Sequence, residues 1–401
     1  MKKVLFMACA LVAGFALTSC DSDRLTPTGD TTKLWVAGED DSNLLGYING
    51  SGKMVIPADY QTAYNFSCGW ALVKEDGEVM YIDANGKPAK NLPEADTYYS
   101  YFYYNMVTFK IDGLQGKWDN NFKEVIPAEY KSIGINTDAG LMWFTEDGKE
   151  YGFINEKGKQ VIEPKFDYCS SFEDGICVVG VNKTVDSQTE MRYGVIDTKG
   201  EYLISPQKKE IYNMGEGRIA FYNSTTKKWG IWDKNGNEIL PATYDDINAI
   251  SCGLALVEKN SKYGYIDKNG NEVIAPRYAG AMDFVENLAW IQKSSDSRIE
   301  LIDKNGESIM RLKEEEYPQG TFHNGLATIY NSDDKETRYI NKNNETIYKW
   351  ESNSGASAPA RRPSLREIGL REIAGTPKAV LYIDRLHGMG LTQEGEIVYK
   401  D

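Results

Sequence analysis

Short apolar stretches alternate with polar turns along most of the chain, and the alternation has two periods. Within a stretch, apolar and polar positions exchange at every second residue, as in Tyr263-Gly264-Tyr265-Ile266-Asp267. That is the pattern of a strand with one buried face. Over a longer distance the same motif returns as Gly-x-Ile/Trp-Asp-Lys-Asn-Gly or a close variant. Marking the Ile/Trp position gives Ile48, Ile82, Trp118, Ile154, Ile196, Trp232, Ile266, Ile302 and Ile340, nine copies separated by 34 to 42 residues. So regular a spacing predicts a tandem-repeat architecture.

Each copy reads as three short strands. A signature strand, such as Tyr263 to Asp267, leads through a Lys-Asn-Gly turn into a second apolar strand such as Glu272-Val273-Ile274. Asp at the start of the turn and Gly three residues later predict a type I turn closed by a left-handed glycine. Proline recurs at the end of the second strand (Pro57, Pro127, Pro164, Pro206, Pro241, Pro276), where a missing N–H costs least. A return strand follows, such as Gly253-Leu254-Ala255-Leu256-Val257. Glycine opens most return strands, with Asn105 and Asn287 in two copies, and closes most hairpin turns, with Asn344 in the ninth. Asn is the best substitute for Gly at positive φ, so both positions are expected to be left-handed. Phe122 takes the turn position in copy three, which predicts a hairpin of different length there.

The expected fold is therefore all-β, built from three-stranded repeats of about 36 residues. Residues 33–37 look like a return strand with nothing before it. Gly390 to Val398 look like signature and second strands with no return strand after them, Ala379 to Ile383 supplying a delayed one for copy nine. The two ends are complementary, which favours a closed propeller-like ring of about ten blades, with strand 33–37 laddered to Glu396–Tyr399. An open β-solenoid is the alternative.

These residues resemble the WG-repeat family, also called KWG repeats; the literal Lys-Trp-Gly stands at Lys228-Trp229-Gly230. The resemblance covers about residues 33–350 and is poorest in copy two, where Pro88 to Pro93 replace the second strand. It implies a propeller-like β-repeat of bacterial surface and secreted proteins, and it brings no catalytic residue with it.

The N-terminus supplies an address. Lys2 and Lys3 precede an apolar run from Val4 to Leu17 that is too short for a membrane span. The run ends Leu17-Thr18-Ser19-Cys20, which resembles a bacterial lipobox. Residues 1–19 are expected to be a signal peptide, Cys20 the acylated first residue, 20–32 a lipidated flexible tether, and 33–401 the repeat domain. Asp21-Ser22-Asp23 resembles the acidic tag of surface-routed lipoproteins. The expected location is the bacterial cell envelope as an outer-membrane lipoprotein, exposed at the surface through that tag. Two departures interrupt the repeats: a polar insertion from Val181 to Met191, and a Ser/Gly/Ala/Pro- and Arg-rich segment at 351–377. The echo of Leu365-Arg366-Glu367-Ile368 in Leu370-Arg371-Glu372-Ile373 predicts a short helix in the second.

Charge narrows the partners. With 45 Lys plus Arg against 59 Asp plus Glu the net charge is −14, or −16 once Lys2 and Lys3 leave with the signal peptide. Such a surface repels phosphate backbones and disfavours nucleic acid. Only His323 and His387 occur, both in loops, which starves a His-based catalytic or metal site. Asp-Lys-Asn-Gly at 233, 267 and 303 places Gly at position four, where a calcium loop needs it at six. No nucleophile elbow or Walker motif is present. No cofactor or metal is expected.

Cys169 and Cys177, in one copy of an exported chain, are candidates for a disulfide, whereas Cys68 and Cys252 share a repeat position and read as small buried thiols. The candidate contact patch is Tyr98, Tyr99, Tyr101, Phe102, Tyr103 and Tyr104, because so dense an aromatic run cannot all face one side of a strand. A loop packed into the neighbouring copy is the alternative. The expected function is a monomeric, envelope-anchored scaffold binding a protein or glycan partner. A carboxylate-based glycan hydrolase is the alternative.

Overall fold

The computed structural model describes residues 33–38, 44–90, 92–185, 188–208, 210–351 and 397–399. They form nine small antiparallel sheets arranged as the blades of a β-propeller. Blade seven shows the plan: Asp246–Ser251, Leu254–Lys259, Lys262–Asp267 and Glu272–Tyr278 pair in chain order. The last three are the return, signature and proline-bearing strands expected from the sequence. The first, an extra strand, forms from the segment after the proline. It is the most buried in the blade that carries Ile211–Gly215, where all five residues are inside.

A blade is thus cut from the repeat one strand out of phase with the sequence copy. Leu34–Gly38 is the return strand of blade one, paired with Leu45–Asn49, so nothing is owed to it by the C-terminus. Three consequences correct the expectations above. There are nine blades, not about ten; most blades carry four strands rather than three; and Ile397–Tyr399 pairs with Thr97–Tyr99 in blade three, not with strand 33–37.

The ring closes through side chains. Nine hydrophobic clusters occupy the nine inter-blade seams, one for each adjacent pair. The last of them joins Trp35, Ala37 and Ile48 of blade one to Leu326, Tyr339 and Ile347 of blade nine. Tyr339 and Tyr348 donate their hydroxyls to Val36 O and Gly38 O, each at 2.8 Å, so edge carbonyls of blade one are capped without an added strand. Trp35 Nε1 donates to His323 O at 3.0 Å across the same seam. Repeated tryptophans pack as core: Trp118, Trp290, Trp35 and Trp229 are all buried.

The left-handed positions are as expected at every return-strand glycine and at every hairpin turn, from Gly52 at φ 79° to Asn344 at φ 62°. Phe122 itself takes φ 59° and keeps the ordinary turn bond, its N–H donating to Asp119 O at 3.0 Å. The hairpin of copy three therefore has the standard length. Its cost at positive φ is offset by burial of the ring against Tyr81, Phe102 and Trp118. At the return strand the residue before the glycine is also left-handed, as in Cys252-Gly253 (φ 53° and 80°), so this is a two-residue type I′ turn.

The glycine of the signature strand has a different cause. Its φ is not positive; what it lacks is room. The proline-bearing strand does not end at its proline but arches over this glycine, with Tyr265 opposite Ile274 and Tyr263 opposite Tyr278. A Cβ on Gly264 would sit 2.5 Å from Ile274 O and 2.5 Å from Pro276 N. Blades one and three to seven have both the arch and the glycine (Gly46, Gly116, Gly152, Gly194, Gly230, Gly264). Blades two, eight and nine carry Met80, Glu300 and Arg338 instead, and among the described residues none of them has the wide arch.

The Val181 to Met191 insertion is not a loop. It lengthens two strands, Ile176–Val185 and Gln188–Asp197, into a hairpin that projects from blade five. Cys20, the 1–19 signal, the 20–32 tether, the 351–377 insertion with its short helix, and His387 lie outside the described residues, apart from Glu351 at the end of the Thr346–Glu351 strand.

Candidate functional site

The type I′ turns of successive blades lie side by side and form an annulus at one end of the ring. Their leading residues are Cys68, Tyr104, Asp174, Glu216, Cys252, Glu286 and Asn324, all left-handed. Asp138 and Gly140 supply the corresponding turn in blade four. Several of these side chains reach the backbone of the next blade. Asp174 accepts the Gly217 N–H at 3.2 Å, Cys252 Sγ the Asn287 N–H at 3.5 Å, and Glu286 the Gly325 N–H at 3.1 Å from both oxygens. Each blade thereby orients its neighbour's turn. Lys268 and Lys342 lie 3.3 Å from Glu216 and Glu286 and neutralise part of the charge.

The acids are close enough to affect one another. Burial raises the Asp138 carboxyl above the usual range, with backbone N–H groups opposing and Asp174 adding to the rise. Tyr104 is pushed up by burial and then by Asp138 and Glu173, which places its phenol beside two carboxylates. Burial lowers His323, partly offset by Glu286. His323 is half-buried and its carbonyl helps close the ring, so this loop residue belongs to the frame. Among the described residues, no three His, Cys, Asp or Glu side chains converge as a metal site.

The aromatic run splits. Tyr98 and Phe102 are buried between blades two and three, beside Tyr81 and Phe122, and Tyr101 is 8% exposed. Tyr98 OH accepts from Ala95 N at 3.2 Å and donates to Pro93 O at 3.1 Å, which fixes the strand. Only Tyr104, at 36%, is exposed, while Tyr99 and Tyr103 are half-covered. The six rings therefore do not form one exposed surface: Tyr98, Tyr101 and Phe102 are buried, and Tyr99, Tyr103 and Tyr104 are the members of the run that solvent reaches. Tyr98 and Phe102 are core because they face blade two across the seam.

The cysteine expectations also change. Cys169 and Cys177 are free thiols: Cys177 is buried and donates to Ser170 O at 3.2 Å, and burial pushes its thiol up to about 12. Cys252 is free, as expected, whereas Cys68 is disulfide-bonded and not a free thiol.

Sequence reasoning missed Lys117. It occupies the interface position held elsewhere by Tyr47, Tyr81, Phe153, Val195, Ile231, Tyr265, Leu301 and Tyr339, and it is 2% exposed. Its Nζ donates to Thr108 Oγ1 at 2.7 Å. The available signal was one polar residue at a repeat position otherwise apolar or tyrosine.

No curated protein sequence matches the chain. Among solved structures, apo AztD from Citrobacter koseri is 11% identical, over 80% of this chain and 95% of that chain, with a TM-score of 0.39. A streptogramin B lyase is 14% identical, over 63% of this chain and 92% of that one, at a TM-score of 0.29. Hsv2 of Kluyveromyces lactis is 13% identical, over 70% and 93%, at a TM-score of 0.29. None of these likenesses bears on what this chain binds. The family described as WG containing repeat matches residues 46–78, 151–184, 193–223, 229–263 and 263–295, segments from both halves of the ring. The nine-bladed propeller thus contains five segments that match the WG-repeat family.

Proposed function

We propose that this protein is a binding scaffold held at the bacterial envelope by an acylated Cys20, with the turn annulus and the adjoining Tyr99, Tyr103 and Tyr104 as its recognition surface for a protein partner. The carrying observation is the rim itself. Exposed Tyr104 stands beside Asp138 and Glu173 on a frame locked blade to blade by hydrogen bonds. Rigid tyrosines among fixed charges lose little side-chain entropy on binding. Asp174 and Glu286 are engaged by backbone N–H groups, which supports a framing role for them over glycan hydrolysis.

The test is capture from envelope extract by a soluble 21–401 chain, run beside a glycan array. A protein captured by wild type and lost from a Tyr99→Ser/Tyr104→Ser variant of unchanged melting temperature supports the proposal. Glycan binding without protein capture, or capture indifferent to the substitutions, contradicts it. For the anchor, Cys20→Ala is expected to move the protein from the membrane to the soluble fraction, since anchoring depends on buried acyl methylenes. Complete retention in membranes would refute acylation at Cys20.

A further inference from the structure

We infer that the inner edge of blade three, Thr97–Tyr99, is a peptide-binding edge that the chain's own C-terminal strand occupies as a displaceable latch. The inference rests on the binding-scaffold reading and names the kind of partner it takes: an extended peptide added to the sheet.

The backbone carries the argument. Ile397–Tyr399 pairs antiparallel with Thr97–Tyr99, with Ile397 opposite Tyr99, Val398 opposite Tyr98 and Tyr399 opposite Thr97. The Asp96 N–H donates to Lys110 O at 2.8 Å, into the blade. Thr97 pairs with the same Lys110, so the strand opens with a bulge. From there backbone direction alternates: Thr97 and Tyr99 face the blade, while Tyr98 turns its N–H and C=O towards Val398 of the incoming strand. Blade three is thereby extended to a fifth strand, and no other described sheet exceeds four. The edge is rigid before anything binds. Tyr98 is pinned through Ala95 and Pro93, Tyr99 OH accepts from Gln115 Nε2 at 2.7 Å, and Tyr81 OH of blade two donates to Tyr99 O at 2.5 Å.

Only three residues pair at this edge, and a strand so short loses much of its binding energy to the ordering of the chain that carries it. That favours exchange with an external strand over permanent closure. The edge lies next to Tyr103 and Tyr104 in the chain, so a peptide on it would run beside the proposed recognition rim.

The test uses the full mature chain carrying Val398→Pro, which removes the N–H group that faces the edge. A fluorescent peptide of residues 390–401 is the probe. It should bind this variant saturably and bind unaltered protein at least tenfold more weakly, because there the latch competes. The same peptide N-methylated at position 398 should lose at least tenfold in affinity. Absence of peptide binding by a variant with unchanged melting temperature would overturn the inference, as would equal binding of the methylated peptide. Should the variant fail to fold, amide exchange in the unaltered chain decides. Protection at Val398 supports the latch, and exchange at the free-peptide rate overturns it. Because the probe is the chain's own sequence, its result is independent of whether an envelope partner is captured.

Discussion

Gly264→Ala is expected to destabilise the fold by about 3 kcal/mol, although alanine is ordinarily the mildest change in a strand. The added Cβ would meet Ile274 O at 2.5 Å, Pro276 N at 2.5 Å and Pro276 Cα at 2.7 Å, all backbone atoms of one arch. No rotamer change relieves such a contact. Either the signature strand or the arch must move, and the arch cannot give locally because Ile274 and Tyr278 on it are buried against blade eight. Gly77→Ala is the control. That glycine sits in a left-handed turn at φ +88° with nothing within 4 Å, so it bears only the conformational cost, about 1 kcal/mol. Denaturant midpoints of the two variants check the difference. An equal loss for both would mean that the signature glycine is kept for its conformation and that the arch is compliant.

The same glycine shows how far the sequence reveals the fold. Its recurrence marks the repeat, and the left-handed turn positions are legible because Asn replaces Gly in all but one of the exceptions, Phe122. The reason for Gly264 is not legible, since it lies in a strand from another part of the copy. Proline at 276 reads locally as a strand end, and becomes the crown of an arch only once the partner is known. The blade boundary is hidden for a related reason. A repeat has no intrinsic first residue, so Leu34–Gly38 looks like a fragment until pairing shows it to be the return strand of blade one.

The rim was legible in part. An aromatic run from Tyr98 to Tyr104 announces that something unusual happens there, but local sequence does not say which rings a neighbouring blade will cover. The interleaving of Tyr98 and Phe102 with Tyr81 and Phe122 is a contact between copies. The daisy chain from Asp174 to Gly217 and from Glu286 to Gly325 is likewise invisible along the chain, because it links equivalent turns of successive blades. His323 shows that a loop residue can matter through its backbone alone. Its side chain varies freely from copy to copy, yet its carbonyl is what Trp35 uses to close the ring.

Replacing Lys117 with Met is expected to stabilise the protein by several kcal/mol at pH 6 and by much less at pH 9. The amine is fully enclosed between blades three and four, sharing a face with Met106, Thr108 and Ile126, and its hydrogen bond goes to a neutral hydroxyl rather than to a carboxylate. Burial lowers its pKa from 10.5 to about 7. Below about pH 7 the lysine is a cation in both folded and unfolded chains, and folding bears the full cost of burying the charge. Between about 7 and 10.4 the unfolded chain still binds the proton and the folded one does not. Stability therefore rises with pH across that window, by about 1.4 kcal/mol per pH unit, or about 4–5 kcal/mol in total. Methionine bears no such cost at any pH and fills a similar volume, while losing one hydrogen bond worth about 1 kcal/mol. The stability gap between Lys117→Met and wild type should be constant below pH 7 and should close by about 3 kcal/mol between pH 7 and pH 9. Equilibrium unfolding of both proteins at pH 6, 7, 8 and 9 measures it, and the difference between them removes every other titrating group. A gap that does not change with pH would show that the amine is charged in the fold and has found a counter-ion. A variant less stable than wild type at pH 6 would show that the bond to Thr108 outweighs the buried charge.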